Sequence, residues 1–207
     1  MVRKVVALLG LTLLLIGGTG LAFAQEDEAP PPQAWGLTVG YMVGDLASEL
    51  VQDGFQAELD DEMTVGLFYL VDLNERVSFE TRLSVSPGTM LNTENGDVST
   101  TVIFLDFTLI PKINIGSFEL GIPMGLGWAA TQEDDAFLNQ VYGRASGIKQ
   151  DGGSGATYYL GLRKDFKLGE KWNAFVDLRA RRFHRLVNIR ERTVKTTELA
   201  IGFARNF

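Results

Sequence analysis

Apolar and polar residues alternate with period two along most of the chain. This alternation is typical of β-strands with two different faces. It predicts eight strands, at residues 35–42, 62–71, 77–86, 98–110, 118–129, 155–166, 172–185 and 193–207. The pattern therefore predicts an all-β protein.

The connections between these strands alternate in length. Tight turns are predicted at Asp72–Arg76, Pro111–Ser117 and Lys167–Lys171. Long, polar connections are predicted at 43–61, 87–97 and 130–154, and a shorter basic one around 186–192. Short turns at one end and long loops at the other are typical of up-and-down barrels of the outer membrane, where the short turns are periplasmic.

The two faces of a strand differ clearly in the third segment. Its outward positions are Val77, Phe79, Leu83 and Val85, and its inward positions are Ser78, Glu80, Arg82 and Ser84. An eight-stranded barrel has only a narrow interior, so its apolar face must meet lipid. Each segment also has roughly the 9–11 residues that a tilted transmembrane strand needs, or somewhat more. The sequence predicts an eight-stranded antiparallel transmembrane β-barrel.

Aromatic residues are placed where such a barrel would meet the two membrane interfaces. One ring lies near the predicted periplasmic end of every strand: Trp35, Tyr69, Phe79, Phe107, Phe118, Phe166, Trp172 and Phe207. Tyr41, Trp128 and Tyr158 lie near the opposite end. Girdles of this kind are expected of membrane barrels.

The first residues predict export. Arg3 and Lys4 precede an apolar stretch from Val5 to Ile16, and Ala22-Phe23-Ala24 follows, as in a secretory signal peptide. The stretch is too short to span a bilayer as a helix. We expect a cleaved signal at 1–24, a disordered, acidic, Pro-rich periplasmic segment at 25–33, an outer-membrane barrel at 34–207, and a location in the bacterial outer membrane.

The chain resembles the small eight-stranded outer-membrane barrels grouped with OmpA, OmpX and OmpW. The resemblance rests on the signal, the strand count, the alternating connections and Phe207. It implies insertion by the barrel-assembly machinery, for which Phe207 on the last strand would be the assembly signal. Arg205 departs from the family, which usually has an apolar or aromatic residue there.

Composition excludes several classes of partner and site. The formal net charge is −7, which argues against nucleic acid as a partner. The chain has no cysteine and a single histidine, so disulfides and paired-histidine metal sites are excluded. We predict no cofactor and no metal site, and we expect a monomer in contact with outer-membrane lipid.

Charged residues at inward positions form the first candidate site. They are Glu80, Arg82, Asp106, Glu119, Arg163, Asp177, Arg179, Arg181 and Glu198. Isolated charges in a narrow lumen are costly, so these should pair across the interior. The pairs are interpreted as a structural plug, with a path for protons or ions as the alternative.

Enzyme chemistry has little support in the sequence. Lipid A deacylases of the PagL type are eight-stranded barrels with an outward His, a Ser two residues later and an acid on the final strand. Here His184 is followed at that spacing by Leu186, and Glu198 has the inward parity. A triad without its hydroxyl has no nucleophile. We predict no catalytic residues and a non-enzymatic structural or surface-interaction role. The first alternative is a narrow OmpW-like conduit for small apolar or ionic solutes, and the second is a lipid A deacylase-like enzyme.

Charge is polarised along the chain. Residues 25–75 contain acidic residues and no Lys or Arg, whereas Arg182, Arg185, Arg190 and Arg192 lie in and around the connection between strands seven and eight. These arginines could attract the acidic first loop, or they could bind the phosphates of lipopolysaccharide. Both interpretations stay open.

Overall fold

The computed structural model describes residues 31–45, 57–59, 62–93, 96–116, 118–132, 154–184 and 193–207. Ten strands lie in these ranges: β1 Gln33–Asp45, β2 Ala57–Leu59, β3 Glu62–Asn74, β4 Val77–Thr93, β5 Gly96–Ile115, β6 Phe118–Gly121, β7 Met124–Gln132, β8 Ser154–Lys167, β9 Trp172–His184 and β10 Thr193–Asn206. In this part of the chain no helix has the length and apolar character required to cross a bilayer.

The strands form one antiparallel sheet that closes into a ring. Around the ring, β1 is followed by β3, β4, β5, the β6 and β7 pair, β8, β9 and β10. The ring is closed between β10 and β1, which pair from Ala34 opposite Asn206 to Asp45 opposite Lys195. Closure leaves none of the described spanning strands with an unpaired edge, as lipid requires of a β-structure. The predicted antiparallel barrel is confirmed.

The fifth predicted strand is divided into β6 and β7 by Ile122 and Pro123. Proline has no backbone N–H and interrupts the ladder. The Ile122 N–H donates to the carbonyl oxygen of Pro111 at 2.8 Å, and the Gly161 N–H donates to that of Pro123 at 2.8 Å. The wall is therefore continuous across the break, and eight segments span it.

One predicted loop is wrong. Residues 87–97 were expected to be a long polar connection, but β4 continues to Thr93 and β5 begins at Gly96. After a register shift between Ser86 and Thr89, the two strands pair up to Thr93 opposite Gly96. β2 also lies within a predicted loop, and it pairs with residues 91–93. A ladder that extends beyond the apolar band needs no lipid-facing side, so it has no period-two signal.

Short connections at one end of the barrel lie among the described residues, although β5 continues through Pro111 to Ile115, within the turn predicted at Pro111–Ser117. Glu75 and Arg76 join β3 to β4, and the Arg76 N–H donates to Asn74 Oδ1 at 2.8 Å. Gly116 follows β5 with φ of 64°, a conformation that favours glycine. Residues 168–171 join β8 to β9. The intervals 46–56, 133–153 and 185–192 lie outside the described residues, so long loops at the opposite end stay a prediction.

The outer face is apolar and the inner face is polar. Leu37, Leu67, Leu126 and Ile201 are among the large apolar side chains that are about half exposed or more. The aromatic residues at the short-turn end include exposed Trp35, Phe107, Phe118, Phe166, Trp172 and Phe207, whereas Tyr69 and Phe79 are half-buried. An apolar surface of this extent requires lipid around it.

Inside the barrel, two aromatic rings lie over glycines that are directly opposite them on the neighbouring strand. Phe68 and Phe175 pack edge to face, with ring centroids 5.3 Å apart. A Cβ atom at Gly202 would collide with the Phe175 ring, and one at Gly36 would lie 2.7 Å from the Phe68 ring. Because the interior is narrow, the two rings fit only where β1 and β10 have no side chain.

We predict that Gly202→Val destabilises the barrel. The added side chain must displace the Phe175 ring, and overpacking of this kind costs about 1–3 kcal/mol. The urea midpoint of the refolded protein in detergent micelles measures the change. Ile201→Val, at the neighbouring lipid-facing position, is the control, and equal midpoints for the two variants would contradict the packing argument.

Candidate functional site: the charged lumen

One strand carries inward side chains along the whole lumen. The buried inward residues of β9 are Phe175, Asp177, Arg179, Arg181 and Phe183, and none is more than 3% exposed. Alternate residues of a strand face the same side of the sheet. β9 therefore presents an aromatic ring, three charged groups and a second aromatic ring, in that order from the short-turn end.

Glu80 is the centre of the lower charge cluster, which consists of Glu80, Arg82, Arg163, Asp165, Asp177 and Arg179. Three guanidinium groups donate to the Glu80 carboxylate. Arg82 Nε lies 3.0 Å from Oε1, Arg179 Nη2 lies 2.9 Å from Oε1, and Arg163 Nη1 lies 2.5 Å from Oε2. These arginines come from β4, β8 and β9, so the carboxylate ties three parts of the wall together.

Two further carboxylates balance the three arginines. Asp177 Oδ2 accepts from Arg179 Nε at 2.8 Å and from Arg82 Nη2 at 3.1 Å. Asp165, nearer the short-turn end and partly exposed, accepts from Arg163 Nε at 3.0 Å. Charge-assisted hydrogen bonds are the strong ones. With three positive and three negative groups, the lower cluster has no formal net charge.

The upper charge cluster consists of Arg181, Asp106 and Glu198. Arg181 binds Asp106 with two hydrogen bonds, Nη1 to Oδ1 at 2.7 Å and Nη2 to Oδ2 at 2.6 Å. Arg181 Nη2 also lies 3.3 Å from Glu198 Oε2. The Thr64 hydroxyl donates to Glu198 Oε1 at 3.2 Å. The three charged groups sum to one negative charge.

Tyr159 separates the two clusters. Its hydroxyl lies 2.6 Å from that of Thr108, and the guanidinium carbons of Arg179 and Arg181 lie 4.9 and 4.7 Å from its ring centroid. These distances fit cation–π attraction from both sides. A Cβ atom at Gly125 would collide with the ring. Tyr159 was not among the predicted lumen residues, although its inward parity can be read from the sequence.

Aromatic pairs border the charged region at both ends. The Arg163 guanidinium lies 3.5 Å from the ring centroid of Phe175, which packs on Phe68. Beyond Arg181, the rings of Phe104 and Phe183 have centroids 5.6 Å apart. These four rings were also not among the predicted lumen residues, because only charged side chains were assigned to the inward positions.

Eight of the nine charges predicted to face the lumen lie inside it, and Glu119 does not. Glu119 is exposed near the start of β6, and its backbone carbonyl accepts from Lys164 Nζ at 2.9 Å. Its parity is inward, but this end of β6 is at the short-turn edge of the barrel. There the inward direction leads to water, so the assignment of Glu119 to the lumen is wrong.

The other candidate residues lie on the outer wall or outside the described residues. Arg182 is exposed on the outer face of β9, whereas Arg185, Arg190 and Arg192, like most of the acidic first loop, lie outside the described residues. The backbone N–H of Phe207 donates to the Gln33 carbonyl at 3.1 Å, and its ring is exposed. Within the described ranges, no group of His, Cys, Asp or Glu is arranged to hold a metal ion.

The closed strand ring, its apolar outer face and its charged lumen agree with one family. A family model described as "Outer membrane protein beta-barrel domain" matches residues 10–207. The chain belongs to this family. Family membership indicates a membrane-embedded protein of the outer membrane, whereas cleavage of the signal at residue 24 stays a prediction.

Solved structures of outer-membrane barrels are similar to this chain. The crystal structure of Neisserial surface protein A is 10% identical, with 84% of this chain and 97% of that chain covered and a TM-score of 0.50. The solid-state NMR structure of AlkL is 12% identical, with coverages of 88% and 94% and a TM-score of 0.50. OprG from Pseudomonas aeruginosa is 15% identical, with coverages of 86% and 96% and a TM-score of 0.46.

At these identities the similarity to NspA and AlkL shows the fold alone. A search among curated protein sequences finds no significant match. The resemblance to small outer-membrane barrels is confirmed by the family match.

We predict that Glu80→Gln strongly destabilises the barrel. The change leaves three buried guanidinium groups without their shared carboxylate, and removal of one partner from a buried ion pair costs about 3–5 kcal/mol. Urea unfolding of the refolded protein measures the loss. Asp165→Asn, at the partly exposed edge of the same cluster, should cost no more than about 1 kcal/mol. A stability loss for Glu80→Gln as small as that of the control would show that Glu80 is not central.

Proposed function

We propose that this protein is a non-enzymatic outer-membrane barrel with a sealed lumen, and that it acts through its outer and extracellular surfaces in a structural or surface-interaction role. The observation that carries the proposal is the lower charge cluster. The side chains of Glu80, Arg82, Asp177 and Arg179 are fully buried between the walls and the aromatic pairs.

Sealing follows from the energy of the buried ion pairs. A solute that passes the lower cluster must separate guanidinium groups from Glu80 and Asp177. Separation leaves a buried charge without compensation, which costs several kcal/mol. Each guanidinium also contacts groups from different strands, so one rotation breaks several hydrogen bonds. This arrangement favours a plug over a channel.

The position of Glu198 favours a non-enzymatic role. Glu198 is buried inside the barrel beside Arg181 and Thr64. A lipid-facing hydrolytic triad would need its acid on the outer face of the wall.

The proposed partners follow from the outer surface. The alternating outer face of β10, with Leu199, Ile201 and Phe203 exposed, gives the barrel-assembly machinery an apolar strand to recognise, with Phe207 beyond it. Membrane lipid surrounds the rest of the wall. The ring is already closed by the pairing of β1 with β10, which favours a monomer.

The narrow conduit is the second candidate, and a specific observation favours it. Among the described residues, Arg82 Nη1, Arg179 Nη1, Arg181 Nε and Asp177 Oδ1 are buried without a hydrogen-bond partner. Buried polar atoms of this kind usually bind water. Water at these atoms would give protons or small ions a hydrated path beside the plug. The described lumen residues give no similar support to a conduit for apolar solutes.

We predict that the refolded protein conducts poorly in planar bilayers. Because the lower charge cluster and aromatic pairs fill the lumen, single-channel steps should be absent or far below those of a general porin. A double Glu80→Ala and Arg82→Ala variant shortens two fully buried side chains and should conduct more. Stable porin-scale conductance of the unaltered protein would overturn the sealed-lumen proposal.

We also predict recovery of the protein in the outer-membrane fraction. The apolar outer face needs lipid, and the closed ring should resist detergent in unheated samples. On a denaturing gel, unheated and boiled samples should therefore migrate differently. Recovery in the soluble periplasmic fraction would contradict both the location and the lipid-facing assignment of the wall.

A further inference from the structure

The two charge clusters of the lumen differ in their balance of charge. In the lower charge cluster three guanidinium groups are paired with three carboxylates. In the upper charge cluster one guanidinium group, that of Arg181, is shared by Asp106 and Glu198. At the short-turn mouth, Lys112 and Asp72 form a further pair, 3.1 Å apart, and cancel each other. The excess of negative charge therefore belongs to the upper charge cluster.

Within this cluster, the excess charge belongs to Glu198. Asp106 accepts from both terminal nitrogens of Arg181, at 2.7 and 2.6 Å, whereas Glu198 Oε2 lies 3.3 Å from Nη2. The other carboxylate oxygen of Glu198 accepts from the Thr64 hydroxyl, a neutral donor, at 3.2 Å. Bidentate, charge-assisted pairs between arginine and a carboxylate are the strong ones. Asp106 thus balances Arg181, and the charge of Glu198 is left over.

A second inward carboxylate lies nearby, on the other side of β1. Met42 is opposite Glu198 on β10 and opposite Glu62 on β3. Glu62 is buried, and Ser86 Oγ donates to its Oε2 at 2.6 Å. Because this group is also an acid, it does not reverse the sign of the excess. The upper part of the described lumen is therefore negative.

Oxygen atoms line the same part of the lumen. Buried hydroxyl side chains occur at Thr38, Thr64, Ser84, Ser86, Thr157 and Thr196. Thr196 is 5% exposed and is opposite Arg181 in the register, and its Oγ1 has no hydrogen-bond partner among the described residues. It lies two positions from Glu198, so both side chains are on the inward face of β10. Hydroxyl and carboxylate oxygens can replace the water around a hard cation.

We propose that the upper charge cluster selects small monovalent cations against anions, and that Glu198 is the residue that determines this selectivity. In a narrow interior of low dielectric, an unbalanced carboxylate attracts cations and repels anions more strongly than it would in water. Rings of Asp and Glu select cations in channels for the same reason. This selectivity rests on the narrow conduit proposed above as the second candidate function, and it assigns that conduit a class of solute.

The first experiment records currents through the refolded protein in planar bilayers between unequal concentrations of KCl. The double variant Glu80→Ala and Arg82→Ala is the background, because it shortens the plug and removes one charge of each sign from the lower charge cluster. The reversal potential gives the ratio of K⁺ to Cl⁻ permeability. We expect K⁺ to be favoured about tenfold, since one unbalanced charge acts on the two ions with opposite sign.

Glu198→Gln in this background should bring the permeability ratio close to one. The change removes the unbalanced charge and keeps the shape of the side chain. The matched control is Glu119→Gln, the same change at a glutamate that is exposed at the short-turn rim, and it should leave the ratio of the background unaltered. Glu198→Ala is a second neutral variant with the same expected result. Gel mobility of unheated samples shows which variants have folded.

The second experiment uses the protein with its plug intact. Tracer exchange of radioactive rubidium and chloride into liposomes accumulates over hours, so it detects a flux that is too small for single-channel recording. Rubidium should exchange faster than chloride, and Glu198→Gln should remove the difference whereas Glu119→Gln should not.

Three results would overturn the proposal. The first is equal or greater permeability of the anion in both experiments. The second is the same ion preference in the folded Glu198 variants and in the Glu119→Gln control. The third is the absence of both current and tracer exchange, which would show that the upper charge cluster admits no ions. The sealed-lumen proposal fails separately, because it depends on the size of the conductance of the unaltered protein and not on the ratio of permeabilities.

Discussion

Lipid offers no hydrogen bonds, so every backbone group of a strand that crosses it must pair with another strand. In this protein the constraint is met by the pairing of β1 with β10 along twelve register positions, from Ala34 to Asp45. Closure of a sheet with eight spanning segments fixes a narrow interior. The need to fill that interior then determines which side chains each strand can carry.

The interior is filled by residues of complementary size and charge. Where Phe68 and Phe175 occupy the lumen, β1 and β10 have Gly36 and Gly202. Where Tyr159 enters, β7 has Gly125. Between the aromatic pairs, Glu80 is shared by three guanidinium groups from three strands. The charged groups that neutralise one another also hold opposite walls at fixed distances. Each of these groups therefore contributes both to the packing of the lumen and to its charge balance.

The chemical character of the outer wall changes along the barrel axis. Its middle is apolar, its short-turn edge is rich in aromatic rings, and its extracellular edge carries Arg182 and Lys195. The buried charges inside the barrel support the proposal that the protein acts through its surfaces and not as a channel.

The sequence by itself determined the barrel, its eight spanning segments and most of the lumen charges, because lipid on one side and a narrow polar interior on the other impose period two on each strand. The period-two rule failed where the strands extend beyond the lipid and the narrow interior. It missed the ladder from Thr89 to Thr93, which lies beyond the apolar band, and it placed Glu119 inside although that part of β6 is at the rim.

Only the tertiary structure decided which charges share Glu80, that Tyr159 separates two clusters, and that Arg181 is shared by Asp106 and Glu198. These contacts join residues far apart in the chain. They depend on the register of non-adjacent strands around the ring, which no local pattern encodes.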